Sequence, residues 1–261
     1  MTVRNAFFDF GFAVASVVDP GKKRVSNQDE VVICPDTGFF AVSDGMGGLP
    51  CGGQTSKMIQ RELPGIIQSI LHELLQPPSP EDAATLLAKA VRQLSDNIYF
   101  AGNRGLRYNY GATLSGVWLT GRHAVFVNLG DSRGYLLPRK ERKIRQITED
   151  HNVATELVKY GAITKEEARF HPKSAQVTRF AGMDARITPD ILPDVFICDI
   201  KPGDLILLCS DGLHGMIDDV ELSSLLRSSK YPLPVCKRLV TEANNNGGRD
   251  NIAVIVVRIE N

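Results

Sequence analysis

Thr113-Leu114-Ser115-Gly116-Val117-Trp118-Leu119, then Thr120-Gly121-Arg122, then His123-Ala124-Val125-Phe126-Val127-Asn128-Leu129 is the stretch from which the fold is read. Two apolar runs flank three residues with a central glycine. Such runs favour extended chain, and the glycine lets the chain reverse, so the stretch predicts a β-hairpin. Its strands must be antiparallel neighbours. Working outward, Phe39 to Ser43 and Phe8 to Ala15 read as further strands. Leu205 to Cys209 is apolar throughout, as in a strand buried on both faces. Ile252 to Val257 is a β-branched run.

Helical spacing fills the gaps between these strands. From Ser56 to Leu75, Ile59, Leu63, Ile66, Ile67, Ile70 and Leu74 recur on one face. Pro64 lies inside this pattern and predicts a kink or a split. The run Gln76-Pro77-Pro78-Ser79-Pro80 reads as a loop into a second helix, with Ser79 as its cap and Pro80 at its first position. Shorter helices are predicted over Val153 to Lys159 with Gly161 as the stop, from Thr164 with Glu167 completing a capping box, and after Asp218. A last one is predicted over Pro234 to Ala243. Strict strand–helix alternation is missing. The order therefore predicts an α+β fold of antiparallel sheets with helices packed outside.

The 261 residues are 43% hydrophobic and 23% charged, an ordinary globular composition able to bury a large core. No internal repeat or long linker divides them, so a single domain over 1–261 is expected. Lys plus Arg and Asp plus Glu each number 30, which lends no support to nucleic-acid binding. No run approaches the roughly 18 apolar residues of a membrane span. Met1 to Phe12 lacks the layout of a signal peptide. Cys34, Cys51, Cys198, Cys209 and Cys236 are odd in number and form no Cys-x-x-Cys, which argues against disulfides and zinc and for a reducing cytoplasm.

Five acids stand at the tips of these strands. Asp44 ends a strand in Val42-Ser43-Asp44-Gly45-Met46-Gly47-Gly48, and Asp211 follows one in Cys209-Ser210-Asp211-Gly212. Asp29, in Asn27-Gln28-Asp29-Glu30, stands just before a β-branched run, Asp250, in Gly248-Arg249-Asp250-Asn251, stands just before a strand, and Asp131 follows Leu129-Gly130. A strand fixes its terminal carboxylate, and an adjacent glycine admits close approach. Hard cations such as Mg²⁺ or Mn²⁺ take oxygen ligands of this kind. Taken singly, each Asp-Gly pair is a turn signal; taken together, the five make a carboxylate metal site a candidate.

At Asp44-Gly45-Met46-Gly47-Gly48 the chain resembles the metal-dependent serine/threonine protein phosphatases of the PP2C family. Seven other segments match in the family's order: Arg24 to Asp29, Gly111-Ala112-Thr113, Gly130 to Arg133, Thr148 to His151, Gly161 to Thr164, Cys209 to Leu213 and Asp250 to Val254. The compact length and Gly-Ala-Ile-Thr-Lys-Glu-Glu-Ala look most like the bacterial branch. The resemblance implies two packed antiparallel sheets flanked by helix pairs, a four-layer αββα sandwich with metals at one end. It implies two Mn²⁺ or Mg²⁺ ions, Asp44 bridging them, the Gly45 carbonyl on the first, and Asp211 and Asp250 on the second. Asp29 would act through a metal-bound water, Asp131 with Asp211 would hold a third, weaker metal, and Arg24 would grip the substrate phosphate. The implied reaction is hydrolysis of phosphoserine and phosphothreonine by direct attack of a metal-bridging hydroxide. Phosphorylated proteins are the implied partners, with a bacterial receptor-type Ser/Thr kinase as counterpart, and the protein is expected to act as a monomer in signalling. Outside the resemblance, Arg24 in Lys22-Lys23-Arg24 is simply a solvated basic turn.

The chain also departs from the family pattern. Met46 stands where animal members carry a His proposed as the acid for the leaving group, and Gln28 stands where an acid is common. Cys51-Gly52-Gly53-Gln54 replaces a pattern of small residues and Glu. The segment of about 153–178 resembles the family's variable flap. A non-catalytic phosphoprotein-binding module and a two-metal nuclease are the competing readings. The retained Asp44, Asp211 and Asp250 count against the first, and zero net charge counts against the second.

Overall fold

The computed structural model describes residues 3–4, 7–74, 76–102, 109–168, 171–184 and 192–261. The strands are β1 (Val3–Arg4), β2 (Gly11–Asp19), β3 (Asp29–Cys34), β4 (Phe39–Asp44), β5 (Leu114–Thr120), β6 (His123–Leu129), β7 (Arg133–Leu137), β8 (Arg145–Gln146), β9 (Asp194–Asp199), β10 (Leu205–Cys209) and β11 (Ile252–Glu260). The helices are α1 (Gly52–Glu73), α2 (Pro80–Gly102), α3 (Val153–Lys159), α4 (Lys165–Ala168), α5 (Asp211–His214), α6 (Asp219–Leu226) and α7 (Pro232–Asn245).

The deciding hairpin is present and sets one sheet. β5 and β6 pair antiparallel from Leu114↔Leu129 to Thr120↔His123. Thr120 belongs to the ladder, so only Gly121 and Arg122 make the turn. That sheet runs β3-β4-β5-β6-β9, and the second runs β1-β2-β11-β10-β7-β8, antiparallel throughout. The fold is α+β, as expected, and its core has three layers. Phe12, Phe40, Val117, Phe126, Leu208 and Ile255 fill the space between the sheets. Ile59, Leu63, Leu87 and Leu94 of α1 and α2 pack with Phe39 and Trp118 on one outer face. Val235, Leu239, Leu222 and Leu213 of the later helices cover the other face with Leu207 and Val256.

Several expectations need correcting. Pro64 lies inside an unbroken 22-residue α1. The lost hydrogen bond is outweighed by burial of Ile59, Leu63, Ile67 and Leu71 along one face. Leu75, the expected end of that helix, lies outside the described residues. The first long strand starts at Gly11 rather than Phe8, because the chain there bonds to the other sheet: Gly121 N–H donates to the Phe7 carbonyl and Asp9 N–H to the Gly121 carbonyl. The last helix begins at Pro232, earlier than the pattern suggested.

The caps agree with the sequence signals. Asp82 N–H donates to Ser79 Oγ at 3.1 Å. Thr164 and Glu167 bond reciprocally at 2.8 and 3.2 Å. Asp218 accepts from Val220 and Glu221, both at 2.9 Å.

Candidate metal centre

Register brings the first acids together. Asp29 opens β3 and Asp44 closes β4, and antiparallel pairing sets them opposite each other. Asp131 follows β6, Asp211 follows β10, and Asp250 precedes β11. All five tips lie at the same end of the sandwich, because neighbouring strands run in opposite directions and each acid sits at the matching terminus. Asp44 feels the charges of Asp29, Asp211, Asp131 and Asp250.

Short polar contacts fix the carboxylates. Ser210 Oγ donates to Asp29 Oδ2 at 2.6 Å and accepts from Ala253 N–H at 2.9 Å. Asp44 N–H donates to Thr113 Oγ1 at 3.0 Å, and Thr113 Oγ1 lies 2.6 Å from Ser132 Oγ beside Asp131. Gly45 N–H donates to the Gln28 carbonyl at 3.0 Å. A Cβ on Gly45 would lie 2.4 Å from the Gly52 carbonyl oxygen, so α1 packs as closely as it does only against glycine here. His214 Nε2 donates to the Asp131 carbonyl at 3.0 Å. Burial, reinforced by Arg133, pushes His214 down to about 3, which keeps it neutral.

Beneath Asp131, Arg133 grips Asp150 at 2.8 and 2.7 Å. His151 accepts from Gly130 N–H at 3.1 Å and meets Asp194 at 2.9 Å, so it braces the segment on which Asp131 stands.

Arg24 does not stand free. Its Nε donates to Asp250 Oδ1 at 2.7 Å and its Nη2 to Oδ2 at 2.6 Å. Asn251 anchors the same loop: its side chain donates to the Pro20 and Ser26 carbonyls at 2.9 and 3.0 Å and accepts from Gln28 N–H at 2.9 Å. Among the described residues no group of three His, Cys, Asp or Glu side chains stands ready to hold an ion.

The electrostatics nevertheless call for cations. Burial, then the charge of Asp211, pushes Asp29 up to about 7 against the pull of Ser210. Burial, then Asp250, pushes Asp211 up to about 6. Burial and neighbouring carboxylates hold Asp44 and Asp131 well above the usual range. Asp29 Oδ1 and Asp211 Oδ1 are buried without a partner. Buried carboxylate oxygens without a partner, in a mutually repelling set, are what a hard divalent cation would satisfy, so the residues present fit Mn²⁺ or Mg²⁺.

A family model described as Protein phosphatase 2C matches residues 22–251. The chain belongs to the protein phosphatase 2C family. The serine/threonine phosphatase stp of Listeria monocytogenes serotype 4b (strain F2365) is 31% identical over 243 residues, 92% of each chain. Stp1 from Staphylococcus aureus superposes with TM-score 0.84 at 27% identity and covers 100% of both chains. The catalytic domain of PstP, solved in complex with 2 manganese ions, has TM-score 0.74 at 25% identity over 96% of this chain and 99% of that one. This protein 2C phosphatase is thus a bacterial-type serine/threonine protein phosphatase acting on phosphoproteins. Among its described residues no helix is long and apolar enough to cross a membrane.

Sequence reasoning named the acids but assigned no role to Ser210, Thr113 or Asn251, which orient them. Each stood inside or beside a quoted motif, next to an Asp or at a strand start. His214 carried no signal, because its partner is a backbone carbonyl 83 positions away.

Proposed function

We propose that this phosphatase hydrolyses phosphoserine and phosphothreonine by direct displacement with two Mn²⁺ or Mg²⁺ ions, and that a third ion binds more weakly. The observation that carries the reading is the pair of orphaned, buried oxygens on Asp29 and Asp211 within a set of mutually repelling carboxylates. Bound there, the cations would lower the pKa of water toward neutrality and offset charge on the phosphoryl oxygens. Asp44 would bridge them, with the Gly45 carbonyl, Asp211 and Asp250 completing the protein ligands; Asp131 would serve the third ion and Asp29 would act through water. Ser210 holds Asp29, and Thr113 holds the Asp44 backbone, so neither acid must reorganise when substrate arrives.

Arg24 presents an Nε/Nη2 fork that already grips one pair of oxygens and suits a phosphate equally well. Met46 has no proton to give, so the leaving alkoxide takes its proton from elsewhere. No side-chain nucleophile is required. The chain acts as one catalytic domain over 1–261, a cytoplasmic monomer opposing a receptor-type Ser/Thr kinase. Residues 153–178, of which 169 and 170 lie outside the described residues, form the flap that tunes substrate choice.

The test is phosphate release from a phosphothreonine peptide with Mn²⁺ or with EDTA, for the intact chain and for Asp211→Asn. Turnover should require metal and collapse in the variant. A folded, Mn²⁺-loaded chain that releases no phosphate would overturn the reading and leave phosphoprotein binding as the activity to measure.

A further inference from the structure

Like charges gather at the opposite end of the sandwich as well. A cleft of about 340 Å³ is lined there by Arg139, Gly203, Leu205, Arg227 and Arg258. Leu205 pairs with Arg258 and Leu137, whereas Cys209 at the other end of β10 pairs with Val254 and Arg133. Four steps of about 3.3 Å put roughly 13 Å between those two ends. The cleft is therefore separate from the carboxylate centre.

Three arginines line this cleft, and the carboxylate whose charge acts on Arg258 is that of Glu260. None of the ion pairs among the described residues includes Arg139, Arg227 or Arg258. Two other acids near the cleft are engaged elsewhere. Glu141 lies 3.4 Å from Arg145. Asp204 accepts from the backbone N–H of Arg139 at 2.7 Å and of Lys201 at 2.9 Å.

Arg227 is fixed at the rim by the carbonyls of Pro138, Arg139 and Glu141. Arg258 Nη2 donates to the Ser229 carbonyl at 2.9 Å, but its Nε is buried and has no partner. Burial holds Arg258 below the usual arginine range; Glu260 opposes this and Arg227 adds to it.

We propose that this cleft binds a phosphate dianion, either free or carried on a phosphorylated polypeptide. Arginine forks match tetrahedral oxyanions through paired N–H donors. With Glu260 set against the three arginines, a phosphate dianion would balance the two positive charges that remain. Arg258 lines the cleft, and its buried Nε–H costs free energy while it has no acceptor.

The experiment is an amide ¹H–¹⁵N titration of the Mg²⁺-loaded chain, first with inorganic phosphate, then with a phosphonate analogue of a phosphothreonine peptide. Saturable shifts are expected at Gly203, Leu205, Ser229 and Arg258, apart from any at the carboxylate end. Arg139→Glu, at an exposed position, should weaken them about tenfold or more and leave shifts near Gly45 intact. Arg258→Gln should act in the same direction. Saturation by phosphate alone identifies the free anion; saturation by the peptide analogue alone identifies a phosphorylated chain. If neither ligand shifts these amides at millimolar concentration, or if Arg139→Glu leaves the affinity unchanged, the proposal fails.

Discussion

Replacing Arg24 should tighten metal binding while it slows turnover. Arg24 occupies both oxygens of Asp250, at 2.7 and 2.6 Å, so a cation reaching for that carboxylate competes with the guanidinium. Exposure sets the size of the effect. The two side chains are 50% and 30% exposed, so solvent screens the pair heavily. Exposed pairs contribute at most ~1 kcal/mol, and the two-pronged geometry places this one near that limit. Releasing ~1 kcal/mol corresponds to roughly a fivefold gain in Mn²⁺ affinity. Loss of the positive charge adds a through-space gain, which Arg24→Lys separates, because lysine keeps the charge without the fork. Calorimetric titration of Mn²⁺ into the metal-free chain should rank Arg24→Met tightest, Arg24→Lys intermediate and the intact chain weakest. In both variants kcat/KM on a phosphothreonine peptide should fall. Equal or weaker Mn²⁺ binding by Arg24→Met would refute the competition.

Three further changes test the frame around the centre. Ser210→Ala removes the donor to Asp29 and the acceptor for Ala253 N–H; it should cost about 3 kcal/mol in urea unfolding, and a loss below about 1 kcal/mol would mean that water replaces the hydroxyl. Asp44→Asn removes one of several repelling charges, so in EDTA it should raise Tm by about 3 °C, while with Mn²⁺ the order should invert; a lower Tm in EDTA would deny the repulsion. Gly212→Ala places a Cβ 1.9 Å from the Asn251 carbonyl oxygen and should destabilise by at least ~2 kcal/mol; an unchanged urea midpoint would show that the backbone yields there.

Local chemistry was legible where it acts locally. The Ser79 and Thr164 caps form between residues three apart, and the β5–β6 hairpin closes over two. Pro64 misled because its penalty is local while the compensating burial of Leu63 and Ile67 comes from other elements. Strand β9 carried little signal, being a half-buried edge strand whose partner β6 lies far back in the chain. The acids at strand tips could be picked out one by one; their common end of the sandwich follows from strand direction, which no single motif contains.

The sequence by itself determined the antiparallel hairpin, the amphipathic helix pair, the family and the identity of the acids, because each is written in neighbouring residues or in motif order. Only the tertiary structure decided that Arg24 rests on Asp250, that Ser210 holds Asp29, and that three arginines share a cleft at the far end. Those contacts join residues 226 and 181 positions apart, or whole strands. Their free energies depend on burial and on the neighbours that packing supplies, and neither quantity exists until the sheets close on each other.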